Sequence, residues 1–323
     1  MAKLTSVSKV SHPPSLRGRP RARAAILMGA AVLVSTVLSM SERASALPGD
    51  TIRVSSESVS NSSAQKTATA TCAAGRQLVG AGANINNGGP RVIIDEIVPN
   101  GSANTAPTAV TVKALEDEVG TAANWSITAY GICTQLPITD VVRVSATSAV
   151  NSNATRAAVA SCPPSNRTLL GSGFDISSGN GQVNVHDLIP SLAGDGQLSA
   201  RAHEDSTGLA GNWSLTAYAI CGVVNGDMEI EDVAGGQTSV DKSATAHCAD
   251  GYTLLSGGVD MLSTLDGAGA QFGHTNNRLV IDELRPTGSL FTTPRDVTIT
   301  VLEASPSPEI WWPIVFAVCF DPA

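Results

Sequence analysis

The chain has 323 residues, with 20 Lys/Arg against 28 Asp/Glu and 4% aromatic residues. Seven of the basic residues fall in the first 46 positions; the remainder holds 13 basic and 27 acidic residues, a net charge of −14. That balance excludes nucleic acid and anionic lipid surfaces as partners, since both demand basic patches.

Residues 1–46 read as a signal peptide. Arg17, Arg19, Arg21 and Arg23 precede an apolar run at 24–40, and Ala44-Ser45-Ala46 is a small-x-small cleavage site before Leu47. A secreted, extracellular chain is expected, with no membrane insertion after cleavage, because no later run is long or apolar enough to span a bilayer.

The rest is three copies of one unit, at 47–137, 138–226 and 227–323. The clearest repeated words are NWSITAYGIC at 124–133, NWSLTAYAIC at 212–221 and the divergent IWWPIVFAVC at 310–319. Ala, Val, Ser, Thr, Gly and Asn dominate, no long 3.6-residue apolar period occurs, and small and β-branched side chains favour sheets. An all-β fold is predicted.

Within each unit an opening strand leads to KTATATC, RAAVASC or KSATAHC. Steps of two back from each cysteine give Ala70, Ala68 and Lys66; Ala160, Ala158 and Arg156; Ala246, Ala244 and Lys242. This is a strand with one tightly packed small-residue face. The recurring basic residue is expected to form an ion pair within the unit. A glycine-rich strand follows (LVGAGA, LLGSGF, LLSGGV), where glycine marks a bulge or close backbone approach.

Loops of variable length come next, at 84–90, 177–181 and 261–277, and are the places where function could be tuned. Then VIIDEIVP, VNVHDLIP and LVIDELRP carry Asp95 and Glu96, Asp187, and Asp282 and Glu283. His186 takes the slot of Asp95 and Asp282 and reads as a polar strand residue. The next strands, VTVKALED, LSARAHED and VTITVLEA, end near Glu116, Glu204 and Glu303. In the closing strand Trp125, Ile127, Ala129, Gly131 and Cys133 share one apolar face, which places Trp125 and Trp213 in the core against the disulfides.

Six cysteines in an exported chain read as disulfides. Two per unit selects Cys72–Cys133, Cys162–Cys221 and Cys248–Cys319, each closing roughly 60 to 70 residues and contributing about 4 kcal/mol on the chain-entropy model. Short connections between units favour a compact pseudo-threefold, β-prism-like body over three tandem β-sandwich domains.

The segments CAAGRQLVGAGA with EDEVGTAANWSITAYGIC, and CPPSNRTLLGSGF with HEDSTGLAGNWSLTAYAIC, resemble the repeat of vitelline membrane outer layer protein I. That resemblance implies a β-prism of three Greek-key sheets and an extracellular structural or saccharide-associated role. It transfers topology and no functional residue.

No motif supports catalysis. There is no HExxH, no GxSxG and no GKS/T, so neither a metal nor a cofactor is expected. The candidate ligand-binding residues are the recurring acids Asp95, Glu96, Glu116, Asp187, Glu204, Asp282, Glu283 and Glu303, as glycan or cation ligands. Threefold recurrence suits scaffolding or multivalent binding better than one differentiated active site. The expected function is therefore a secreted non-enzymatic protein that binds an extracellular glycan or cell-surface component, or serves structurally. A carbohydrate-active hydrolase using paired carboxylates is the alternative, and a protease inhibitor acting through the 261–277 loop is the second.

Overall fold

A computed structural model describes residues 50–103, 105–263, 278–288, 292–306 and 310–322. Residues 1–46, read from sequence as a signal peptide, and most of the 261–277 loop lie outside the described residues.

The alternating stretches all form strands. The first repeat gives β1 (Thr51–Glu57), β2 (Gln65–Thr71), β3 (Gln77–Asn86), β4 (Val92–Pro99), β5 (Ala109–Glu116) and β6 (Ser126–Thr134). The second gives β7 (Thr139–Thr147), β8 (Thr155–Ser161), β9 (Thr168–Ser177), β10 (Val183–Ser191), β11 (Gln197–Glu204) and β12 (Ser214–Val223). The third gives β13 (Gly226–Ala234), β14 (Lys242–His247), β15 (Thr253–Ser263), β16 (Leu279–Pro286), β17 (Asp296–Glu303) and β18 (Trp311–Pro322).

These strands build three six-stranded sheets, and no sheet belongs to one repeat. Sheet I runs β1-β6-β3-β16-β17-β14, sheet II runs β7-β12-β9-β4-β5-β2, and sheet III runs β13-β18-β15-β10-β11-β8. Each sheet takes the first, sixth and third strands of one repeat and the fourth, fifth and second strands of another. The exchange is cyclic, which rules out three tandem sandwiches. Every repeat is divided between two sheets.

The join between the halves is short. β4 meets β9 through Glu96 opposite Asp175 and Ile97 opposite Phe174, and β16 meets β3 through Glu283 opposite Asn84 and Leu284 opposite Ala83. β10 and β15 pair only at Leu188 and Val259. Glycine makes this join possible. A Cβ on Gly82 would sit 2.2 Å from the Leu284 carbonyl oxygen, and one on Gly173 2.4 Å from that of Ile97. The preceding glycine lets the third strands of the repeats touch at the centre: a Cβ on Gly80 would lie 1.8 Å from Leu255 O, and one on Gly171 2.1 Å from Val79 O. The glycine-rich strand is thus a device for close backbone approach. Ser256 stands at the third equivalent position, and its hydroxyl lies 3.2 Å from that of Ser172.

The core follows the predicted faces. Lys66, Ala68 and Ala70 alternate buried with exposed neighbours along β2, and the same pattern runs through β8. The whole of β6 is buried, as a strand flanked by β1 and β3 must be when its sheet is covered. All three disulfides form as paired by the repeat, with sequence separations of 61, 59 and 71 and Cα–Cα distances of 5.6 to 5.7 Å. Each leaves one sheet and enters another. Cys72 follows β2 of sheet II and joins β6 of sheet I; Cys162 follows β8 of sheet III and joins β12 of sheet II; Cys248 follows β14 of sheet I and joins β18 of sheet III. The bonds therefore tie the three sheets to one another in a closed cycle.

Candidate functional site

The most faithfully repeated polar residues converge at one end of each repeat. There the chain enters β6, β12 or β18 at a tryptophan that is fully buried, with Trp125, Trp213 and Trp311 all 0% exposed. A buried indole N–H needs an acceptor, and the recurring glutamate supplies it. Trp125 Nε1 donates to Glu116 Oε1 at 2.8 Å, Trp213 to Glu204 at 2.9 Å and Trp311 to Glu303 at 2.7 Å. These glutamates stand nine, nine and eight residues before their tryptophans, a spacing visible in the sequence.

The recurring cation closes the other side of the ring. Lys66 Nζ lies 4.2 Å from the Trp125 centroid, the Arg156 guanidinium 4.9 Å from Trp213 and Lys242 Nζ 3.4 Å from Trp311. Among the described residues none of these cations forms an ion pair, which corrects the expectation from sequence. Each instead stacks on the indole and donates to the loop before its own strand. Lys66 bonds Asn61 Oδ1 at 2.7 Å and Ser63 O at 2.9 Å, Arg156 bonds Asn151, and Lys242 bonds Thr238 O at 2.9 Å. The tryptophans stand eight residues from the cysteines along the strand, and their packing partners are these cations rather than the disulfides. Replacing Glu204 with Leu should leave the Trp213 N–H buried and unpaired, costing about 1–3 kcal/mol in urea unfolding, while Glu204→Gln retains an acceptor and should cost less.

The second set of acids lies at a β-bulge that recurs in β4, β10 and β16, between Ile94 and Glu96, Val185 and Asp187, and Ile281 and Glu283. The bulged residues are Asp95, His186 and Asp282, each one the extra residue of its strand. Asp95 accepts from Lys113 Nζ at 2.7 Å, though burial outweighs that bond and holds its carboxyl above the usual range. Glu96 is half-buried opposite Asp175 across the join and is likewise raised by burial. Asp187 lies 3.7 Å from Arg201. His186 stacks against His203 with ring centroids 4.7 Å apart.

The third repeat differs at this point. Thr300 stands where the other repeats place Lys113 and Arg201, and donates to Glu283 Oε2 at 2.7 Å. Glu283 also takes the Arg285 guanidinium, and among the described residues no cation pairs with Asp282. Burial, reinforced by Glu283 and Asp241, pushes the Asp282 carboxyl up to about 7. Between pH ~4 and ~7 folded Asp282 keeps a proton that the unfolded chain has lost, so this group lowers stability as pH rises and costs the full amount above 7. Asp282→Asn should therefore stabilise the protein by about 3–4 kcal/mol at pH 8 and leave it nearly unchanged at pH 4. Thr300→Lys should act in the same direction, both read from urea midpoints across pH.

Among the described residues no group of three or more His, Cys, Asp or Glu is placed to hold a metal ion. The eight candidate acids are thus distributed over three tryptophan sites and three bulges rather than gathered into one site. The loops, in contrast, do gather. Backbone bonds from Glu116 N to Ala64 O and from Asp117 N to Arg91 O bring together the three loops at the tryptophan end of the first repeat, and Glu204 to Ala154 and Asp205 to Gln182 do so in the second. The loop at Gly181 abuts Glu116 of the preceding repeat, so the ends of the two repeats adjoin. Val59, Val119, Val150 and Val240, the most exposed large apolar residues among those described, all project from such loops.

Three disulfides, and the finding that no helix among the described residues is long and apolar enough to cross a membrane, fit a secreted or extracellular protein. A scan against protein-family models gives no match, and no curated protein matches the chain.

Proposed function

We propose that this is an exported, non-enzymatic β-repeat protein whose rigid body presents the loops of its tryptophan end to an extracellular glycan or cell-surface component. The observation that carries this reading is the division of labour among polar residues. The faithfully repeated Glu, Lys/Arg and Trp are engaged with one another inside the fold, whereas the loops around them carry exposed valines: Val59, Val150 and Val240 between the first and second strands of each repeat, and Val119 before β6. Such an arrangement supports recognition by exposed loops on an invariant scaffold. The resemblance of the repeat to vitelline membrane outer layer protein I accords with work done outside the cell.

The test is binding of the mature protein to a glycan array and to extracellular surface material. Saturable binding is expected, weakened at least tenfold by a Val59→Asp, Val150→Asp, Val240→Asp triple variant that keeps its melting temperature. Absence of any signal at high concentration of folded protein, or turnover of glycoside substrates, would sink the reading.

A further inference from the structure

One sheet face departs from the threefold pattern. On β6 the side chains opposite in direction to Trp125 and Cys133 are Ser126, Thr128 and Tyr130, and on β12 they are Ser214, Thr216 and Tyr218. An arginine of the opening strand spans each of these faces. Arg53 stacks over Tyr130 at 4.8 Å and donates to Pro286 O of β16 at 3.0 Å; Arg143 stacks over Tyr218 at 4.7 Å and donates to Pro99 O of β4 at 2.8 Å. In sheet III the same row reads Trp312, Ile314 and Phe316, all half-buried, and Ile230 stands in register where the arginines are. Leu262, opposite Trp312, takes the place of Asn86 and Ser177.

In sheets I and II this row is polar and bonded to its own neighbours, as Asn86 with Ser126 and Thr128, and Thr147 with Thr216. The third repeat replaces it with an apolar strip that no arginine spans, and such a patch marks an interaction surface. Its charge says what kind. Asp232 stands opposite Phe316 on one side of the strip and Asp260 opposite Ile314 on the other. The half-sheet β13-β18-β15 contains six acids and no Lys or Arg. Trp312 to Phe316 covers four residue steps, about 13 Å at ~3.3 Å per residue, the length of roughly nine helical residues. We infer that this face binds a basic amphipathic helix of a partner protein, its apolar stripe lying along Trp312, Ile314 and Phe316 and its flanking Lys or Arg meeting Asp232 and Asp260. A second copy of this chain would instead set these acids against one another. The surface lies on the sheet, apart from the exposed valine loops, and stands whether or not those loops take a glycan.

Trp312 is the natural reporter, because the other three tryptophans are fully buried. Added to the mature protein, a Leu/Lys amphipathic peptide of about 18 residues, long enough to be helical, should shift Trp312 emission to the blue and saturate. Binding should weaken at least about threefold between roughly 50 and 500 mM salt, and a Leu/Glu peptide of the same pattern should leave the emission unmoved. The triple variant Trp312→Ser, Ile314→Thr, Phe316→Tyr writes the row of the second repeat into β18. It should keep its melting temperature and bind about tenfold more weakly by calorimetry. Asp232→Ser, at an exposed position that is Ser55 and Ser145 in the other repeats, should weaken binding about threefold, and it decides the matter should the triple variant not fold. No emission shift with the Leu/Lys peptide, an equal response to the Leu/Glu peptide, or unchanged affinity in Asp232→Ser would overturn the inference. So would self-association that the triple variant abolishes, or an oligosaccharide that shifts Trp312 emission where the peptide does not.

Discussion

An isolated middle repeat, residues 138–226, is expected to remain unfolded as a monomer. In the intact protein the β7-β12-β9 half-sheet joins β4 of the first repeat through β9, while the β10-β11-β8 half-sheet joins β15 of the third through β10. Excision strips the partner half from both sheets and leaves two three-stranded fragments joined by one disulfide. It also uncovers Leu169, Leu170, Leu188 and Phe174, all buried in the intact body. Each such side chain contributes about 1.5–3 kcal/mol when buried, against a total stability of only about 5–15 kcal/mol for an ordinary domain. Circular dichroism of the fragment should show no cooperative thermal transition. The three-repeat chain should melt in one transition, with calorimetric and van't Hoff enthalpies in agreement. A folded, monomeric fragment would mean that the cyclic exchange of strands is not what stabilises the fold.

Gly171→Val is expected to cost at least about 3 kcal/mol, toward the upper end of single-residue effects. Its Cβ alone would lie 2.1 Å from Val79 O and 3.2 Å from the Gly80 Cα, both backbone atoms of a neighbouring repeat. No rotamer relieves such a clash, so the central strands must separate. Gly236→Ala is the matched control, because a Cβ there meets nothing within 4 Å; its effect should stay within about 0.5 kcal/mol. Urea midpoints for the two variants measure the difference. Equal midpoints would show that the third strands tolerate greater separation than their contacts imply.

Much of the fold is legible in the sequence because it is written in short-range patterns. Alternation identifies β2, β8 and β14, and the doubled cysteines of each repeat select one pairing from fifteen. The apolar face of the closing strand is equally plain, and Trp125, Ile127, Ala129 and Cys133 are all fully buried. The division of each repeat between two sheets is not legible. It depends on contacts such as Glu96 with Asp175 and Ile97 with Phe174, far too short to leave a periodic signal. Glycine gave a partial clue: the doubled glycines of the third strand announce close approach without naming the partner.

The candidate site shows the same boundary. Glu116, Glu204 and Glu303 stand out as recurrent acids, but their role rests on an indole N–H eight or nine residues away. Lys66 looks like half of an ion pair until the Trp125 ring is found beneath it. Asp282 aligns with Asp95 in sequence, and the cross-strand exchange of Lys113 for Thr300 removes the cation that opposes burial at Asp95.

The cyclic sharing of strands also has a consequence for connectivity. The third repeat clasps the first without a covalent link, through β16 and β3, in the same manner that the first clasps the second and the second clasps the third, where the chain is continuous. The polypeptide is therefore a ring cut at one of three equivalent joints. Circular permutants opened between β6 and β7 or between β12 and β13, with residue 47 joined to the C-terminus through a flexible linker, ought to reach the same set of sheets. In such a ring the covalent order of the repeats is incidental to the architecture, and the pairing rule between halves defines it.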